Sequence, residues 1–151
     1  MTRPERARVF VDTNILFYSL DLDAGEKHAR AVDALAMLWS YHSGIISTQV
    51  ISELILNIQK KLGLDSERIE RVVEPYLTWH VVVIDPHDPL EAVRTAAKNR
   101  ISFWDAMIVT SARKAGAGVI YTEDLNPGQK IEGVEVVDPL SDSFTDPGQG
   151  R

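Results

Sequence analysis

Five short apolar, β-branched runs, at residues 9–11, 44–47, 80–84, 119–121 and 134–137, restrict this chain more than any other feature. Their length and composition suit strands buried on both faces. Helix-like segments separate them. Residues 26–39 carry Ala29, Val32, Ala36 and Trp39 at helical spacing, and Val50, Ile51, Leu54, Ile55, Ile58 and Leu62 form one apolar stripe. Residues 66–78 carry Ile69, Val72, Val73 and Leu77, and a further segment at 89–100 opens with Pro89, a residue suited to a first helical turn. Residues 103–115 differ: Phe103, Trp104, Ala106, Met107, Ile108 and Val109 leave almost no polar face, which reads as a buried helix. Strands alternating with helices imply an α/β fold with a mostly parallel, five-stranded central sheet and helices on both faces. At 151 residues, with neither repeats nor a long linker, the expectation is one domain over residues 1–140. A polar, loosely held tail over 141–151, with Pro147, Gly148 and Gly150, completes the reading.

Composition narrows the chemistry. The chain has no cysteine, which removes thiol nucleophiles, Cys-ligated zinc, iron–sulfur clusters and disulfides, and agrees with a cytoplasmic location. No apolar run approaches the ~20 residues of a membrane span, and Asp12 and Asn14 interrupt the N-terminal stretch that a secretory signal would need. Sixteen Lys and Arg against 22 Asp and Glu give a net charge of -6, which argues against holding nucleic acid by broad electrostatic attraction.

The informative acids are those just after strands, because doubly wound folds bind ligands outside the carboxyl ends of their strands. Asp12 follows Val9-Phe10-Val11, and Asp124 closes Val119-Ile120-Tyr121-Thr122-Glu123-Asp124. Taken singly, each is explained as a turn or N-cap residue. Asp105 fits a capping box begun by Ser102, yet its sequence neighbours are apolar, and an ionised carboxylate in such surroundings needs a cavity, a cation or a metal. Glu53, early in the helix after the second strand and off its apolar stripe, reads alone as a solvated acid. Together the four would converge on one sheet edge. Like charges so placed must share protons or bind cations, and all-oxygen ligation selects Mg²⁺ or Mn²⁺ over zinc. Such an ion, still carrying water, serves phosphodiester hydrolysis.

In order and spacing these segments resemble the PIN-domain family of metal-dependent nucleases, and more narrowly the VapC-type toxins of toxin–antitoxin pairs. The resemblance rests on Val9-Phe10-Val11-Asp12-Thr13-Asn14, on Ser47-Thr48-Gln49-Val50-Ile51-Ser52-Glu53, on Ser102-Phe103-Trp104-Asp105-Ala106, and on Tyr121-Thr122-Glu123-Asp124-Leu125-Asn126 followed by Gly128-Gln129. It implies a three-layer α/β/α sandwich and Asp12, Glu53, Asp105 and Asp124 as the catalytic, metal-binding acids. Thr122 would support Asp124, and Asn14 would orient Asp12 or a water. Glu123 adjoins Asp124, but alternation in an extended segment turns the two side chains apart. The resemblance further implies endoribonuclease activity with Mg²⁺ or Mn²⁺, homodimers, and inhibition by a cognate antitoxin protein docking on the apolar helices at 50–62 and 66–78. One departure is Asp138-Pro139-Leu140, where the family often has Asn-Pro-Phe; it falls at an edge turn, outside the acidic set.

Other chemistries find less support. His28, His42, His80 and His87 show no metal-ligand spacing, and Gly116-Ala117-Gly118 precedes a strand without the third glycine of a nucleotide loop. An aspartate-based phosphatase would want a second acid where Asn14 stands, and a receiver domain would place its phosphoacceptor in a later strand. An inactive PIN-like module binding RNA or protein is the non-enzyme alternative. The tryptophans Trp39, Trp79 and Trp104 read as core or interface residues, and Arg3, Arg6, Arg8, Lys60, Lys61, Arg100 and Arg113 are candidates for a basic rim.

Overall fold

The computed structural model describes residues 6–146, so Arg3, Pro147, Gly148 and Gly150 lie outside the described residues. The expected strands form as β1 (Val9–Val11), β2 (Gly44–Ser47), β3 (His80–Val82), β4 (Val119–Tyr121) and β6 (Val134–Val137), and a two-residue strand β5 (Lys130–Ile131) joins them. The order is β3-β2-β1-β4-β6-β5. All pairs are parallel except the edge pair β5–β6, so the sheet has six strands where five were expected. The sixth is too short to leave a pattern in the sequence. β3 stops two residues before the apolar run does, because the N–H of Ile84 donates to the Thr48 hydroxyl (3.2 Å) in place of a ladder partner.

The crossovers build two helical layers. From β1 the chain steps outward through α1 (Thr13–Tyr18), α2 (Glu26–Tyr41), β2, α3 (Thr48–Asn57) and α4 (Ser66–Val73) to β3. It then returns through α5 (Asp88–Asn99) and α6 (Phe103–Lys114) to β4 on the other side of β1. Right-handed crossovers taken in opposite directions put α1–α4 on one face and α5–α6 on the other. The core is the sheet between them: Phe10, Val11, Ile45, Ile120 and Val136 are fully buried.

Several helices depart from the sequence pattern for identifiable reasons. The six-residue α1 was not expected; Asp12 caps it, and Ile15, Leu16 and Phe17 bury its inner side. The stripe at 50–62 is α3 followed by a π-turn, Ile58–Leu62, closed by the Gly63 N–H on the Ile58 carbonyl. The segment at 66–78 changes from α to 3-10 geometry at Glu74–Thr78, where Pro75 has no N–H to give an α-helical ladder. α6 is buried only from Ala106 to Ala112, since Phe103 and Trp104 at its start are exposed, Trp104 by 61%, as are Arg113 and Lys114 at its end. Trp39 and Trp79 do lie inward, meeting each other and Tyr76 edge-on or tilted at centroid distances of 5.0–5.2 Å.

Residues 141–146 are held more firmly than their polarity suggests. Arg30 donates to the Leu140 carbonyl (2.9 Å) and pairs with Asp142, Arg6 pairs with Asp146, and the Phe144 ring meets Tyr121 edge-on at 5.6 Å. Among the described residues no helix is long and apolar enough to cross a membrane.

Candidate metal centre

The strand order reverses at β1. Its two neighbours are reached by crossovers running in opposite directions, so a crevice opens beyond the carboxyl ends of β1 and β4, where doubly wound folds bind ligands. Asp12 stands at its floor, 7% exposed. The Asp12 N–H donates to the Tyr121 carbonyl (2.9 Å), so the β1–β4 pairing continues to the residue that carries the carboxylate. Its Oδ1 accepts from the Thr13 N–H at 2.7 Å, and its Oδ2 accepts from the Thr122 hydroxyl at 2.9 Å.

Asp124 follows β4, and its N–H donates to the Thr122 oxygen at 3.1 Å. One buried hydroxyl therefore orients both acids. Asn14, expected to serve Asp12, instead donates from Nδ2 to Asp124 Oδ2 at 2.8 Å, because the start of α1 turns it toward the β4 side of the crevice. Glu53 is not the solvated acid that its position alone suggested. It is half-buried, Oε2 accepting from the Thr13 hydroxyl at 2.9 Å and Oε1 from the Gln49 amide at 3.0 Å. Asp105 enters from the first turn of α6, where Ser102 Oγ accepts its N–H at 3.0 Å. Its surroundings are mostly polar, contrary to the reading from its sequence neighbours, because the carboxylate opens on the crevice, where Trp104 and Ile108 are the apolar lining among polar side chains. All four acids line one cleft of about 120 Å³.

Sequence reasoning missed Thr13, Gln49, Asn57, Trp104 and Ile108 as lining residues. Gln49 and Asn57 lie four residues before and after Glu53, so helical spacing puts them on its face once Glu53 is known to point inward. Glu123 turns away from the cleft, as alternation requires, to accept from the Tyr18 hydroxyl (2.7 Å) and from Lys27 (3.0 Å).

Electrostatics set this cluster apart. Among the described residues, no ion pair involves Asp12, Glu53, Asp105 or Asp124. Burial pushes the Asp12 carboxyl up to about 6, against the hydrogen bonds from Thr122 and Thr13 and with added repulsion from Asp124 and Glu53. Burial also raises Asp124, helped by the charges of Asp105 and Glu123. Among the described residues no three acidic or histidine side chains stand close enough to grip one ion as they lie. The donor set nonetheless fits a hard divalent cation: it is all oxygen and lacks a cationic partner. Each carboxylate oxygen of Asp12 and Glu53 accepts a hydrogen bond and has a lone pair to spare.

A model of the PIN domain matches residues 9–130, and the chain belongs to that family. Its fold is similar to that of VapC20 from Mycobacterium tuberculosis, described as a toxin cleaving the sarcin-ricin loop. The two share 20% identity over 77% of this chain and 89% of that one, with a TM-score of 0.61. A toxin–antitoxin complex from Klebsiella pneumoniae gives 22% identity over 87% and 97%, with a TM-score of 0.63. DNA-bound VapBC from Salmonella typhimurium gives 22% over 88% and 98%, with a TM-score of 0.62. No curated protein matches the chain.

Proposed function

We propose that this PIN domain is a metal-dependent endoribonuclease that hydrolyses RNA phosphodiester bonds as the toxin of a toxin–antitoxin pair. The observation that carries the reading is the delivery of four carboxylates from four separate elements into one crevice, with no ion pair to any of them among the described residues. Carboxylates lining one cleft favour a bound Mg²⁺ or Mn²⁺. When bound, such an ion supplies Lewis-acid activation of water and stabilises the leaving oxygen. Asp12, Glu53, Asp105 and Asp124 would hold it. Thr122 fixes Asp12 and Asp124 relative to each other, Asn14 steadies Asp124, and Thr13 with Gln49 keeps Glu53 turned inward.

The test is cleavage of a pool of cellular RNAs by purified protein with Mg²⁺, with Mn²⁺, and with EDTA. Metal-dependent fragments are expected; hydrolysis of a phosphomonoester without RNA cleavage would move the assignment to an aspartate-based phosphatase. Binding of RNA without turnover in either metal would leave an inactive module. Glu123 provides an internal control, since its carboxylate is occupied by Tyr18 and Lys27. Glu123→Gln is expected to keep cleavage within about threefold of wild type, because the amide oxygen can still accept from Tyr18 and the ion pair lost with Lys27 is partly exposed.

The toxin assignment has its own support. An apolar groove of about 330 Å³ between α3 and α4, lined by Ile55, Ile69, Val73 and Leu77 with Glu70 and Glu74 at its edge, suits an amphipathic antitoxin helix carrying basic residues. Copurification with the product of a neighbouring small open reading frame, lost on Leu77→Asp, is the expected result. A homodimer is part of the same proposal. The exposed Leu90 and Val93 on α5 offer apolar surface for it.

A further inference from the structure

A second recess adjoins the acid cleft and shares two of its walls, Asp105 and Asp124. It has a volume of about 290 Å³, and its other polar side chains include Arg100, Asn126 and Gln129. Of the basic residues considered for a rim, Arg6 pairs with Asp146, Arg8 donates to the Ala115 carbonyl (3.0 Å) and contacts His80, and Arg113 pairs with Glu91 and Glu132. Arg100 has no ion pair or side-chain hydrogen bond among the described residues, and it is exposed within the recess. Its backbone is unusual as well. Arg100 terminates α5 with φ 55° and ψ 46°, the left-handed conformation that glycine or asparagine adopts at lower cost. The fold thus presents an arginine beside the acids at a position where backbone preference alone would select glycine.

We propose that this recess holds the phosphate next to the scissile one on a single RNA strand, with Arg100 as its cationic contact and the amides of Asn126 and Gln129 as further donors. The inference rests on the ribonuclease reading and names where its substrate lies. A phosphate drawn toward Asp105 and Asp124 meets repulsion unless positive charge stands beside it. A guanidinium meets that need with a planar fork of donors matched to phosphate oxygens. The recess therefore sets the direction in which the strand crosses the cleft, from the acids toward the start of α6.

Replacement by glycine tests this without disturbing the backbone, because glycine fits φ 55° better than arginine does. Arg100→Gly in an Asp12→Asn background is expected to bind a fluorescein-labelled single-stranded RNA oligonucleotide about 5–20-fold more weakly in Mg²⁺. The slope of log affinity against log salt should fall by about 0.7, as it does when one phosphate of a single strand is no longer neutralised by the protein. Thermal unfolding should occur at or above the temperature of the parent, and Arg100→Lys should recover part of the affinity. Arg68→Ala, which removes the same charge from α4, should bind within about twofold of the parent. Unchanged affinity and slope in Arg100→Gly, with a wild type that still cuts RNA, overturn this inference alone. A wild type that neither binds nor cuts RNA overturns both readings. Loss of binding to a copurified protein with RNA affinity intact reassigns the recess to that partner.

Discussion

Asp12→Asn is expected to lower metal-dependent RNA cleavage by on the order of 10³-fold or more while making the metal-free protein more stable at pH 7.5. The two effects have one cause. Asp12 is buried among other carboxylates, and its pKa stands at about 6 against 3.8 for an ordinary aspartate. Between those values the folded chain binds more protons than the unfolded chain, so stability in the absence of metal falls as pH rises through the window. The charged carboxylate then costs about 3 kcal/mol above pH 7. Asparagine removes the charge and keeps an oxygen to accept from the Thr13 N–H. Urea unfolding in EDTA should show the variant well above wild type at pH 7.5, with the gap closing toward pH 4. Added Mg²⁺ should raise wild-type stability with concentration and the variant's far less, because binding to the folded state alone stabilises it. Cleavage by the variant within tenfold of wild type would remove Asp12 from the site. Equal stability of the two proteins at pH 7.5 would mean that the carboxylate is not strained by its surroundings.

The second large effect lies at the opposite end of β2. A Cβ added at Gly44 would fall 2.5 Å from Cε3 and Cζ3 of Trp79 and 2.7 Å from Cη2. The indole cannot step aside freely, because Trp39 and Tyr76 bracket it at centroid distances of 5.1 and 5.0 Å. Gly44→Ala is therefore expected to cost about 3 kcal/mol, the upper end of the usual range for overpacking. A companion Trp79→Leu should recover part of that loss, so the double variant would be more stable than the sum of the single changes predicts. Equilibrium urea unfolding followed by far-UV circular dichroism reads both. A Gly44→Ala protein within about 0.5 kcal/mol of wild type would show that the aromatic cluster yields easily.

The legible and illegible parts of this chain divide by the range of the interactions that decide them. The runs at 9–11, 44–47, 119–121 and 134–137 became strands at those bounds, since an apolar β-branched segment buried on both faces has no other comfortable state. α1 escaped notice because it is only six residues long and begins with Asp12-Thr13-Asn14, which looks like a turn until its cap is seen. The break of the 66–78 segment was visible in principle at Pro75. Among the candidate ligands, Asp12, Asp105 and Asp124 stand at strand ends and a helix start, where each alone reads as a turn or cap residue, and Glu53 reads as surface until Thr13 and Gln49 are found bonded to it. Asn14 could be named from its motif, but not its partner. Whether it reaches Asp12 or Asp124 depends on where α1 begins, and it reaches Asp124.

From the sequence alone come the main strands and helices and the α/β class, because periodicity, capping and residue chemistry act over a few positions, while the acids are singled out as a set only by the order of motifs that resembles the family. Only the tertiary structure decides that β4 lies beside β1, that the reversal of strand order opens a crevice between them, and that carboxylates from residues 12, 53, 105 and 124 share it. It alone separates Arg100, turned into a recess beside those acids, from Arg6 and Arg113, held in ion pairs. The physical reason is the same in each case. Adjacency between residues on the order of a hundred positions apart is set by how crossovers pack against the sheet, and no local preference encodes it.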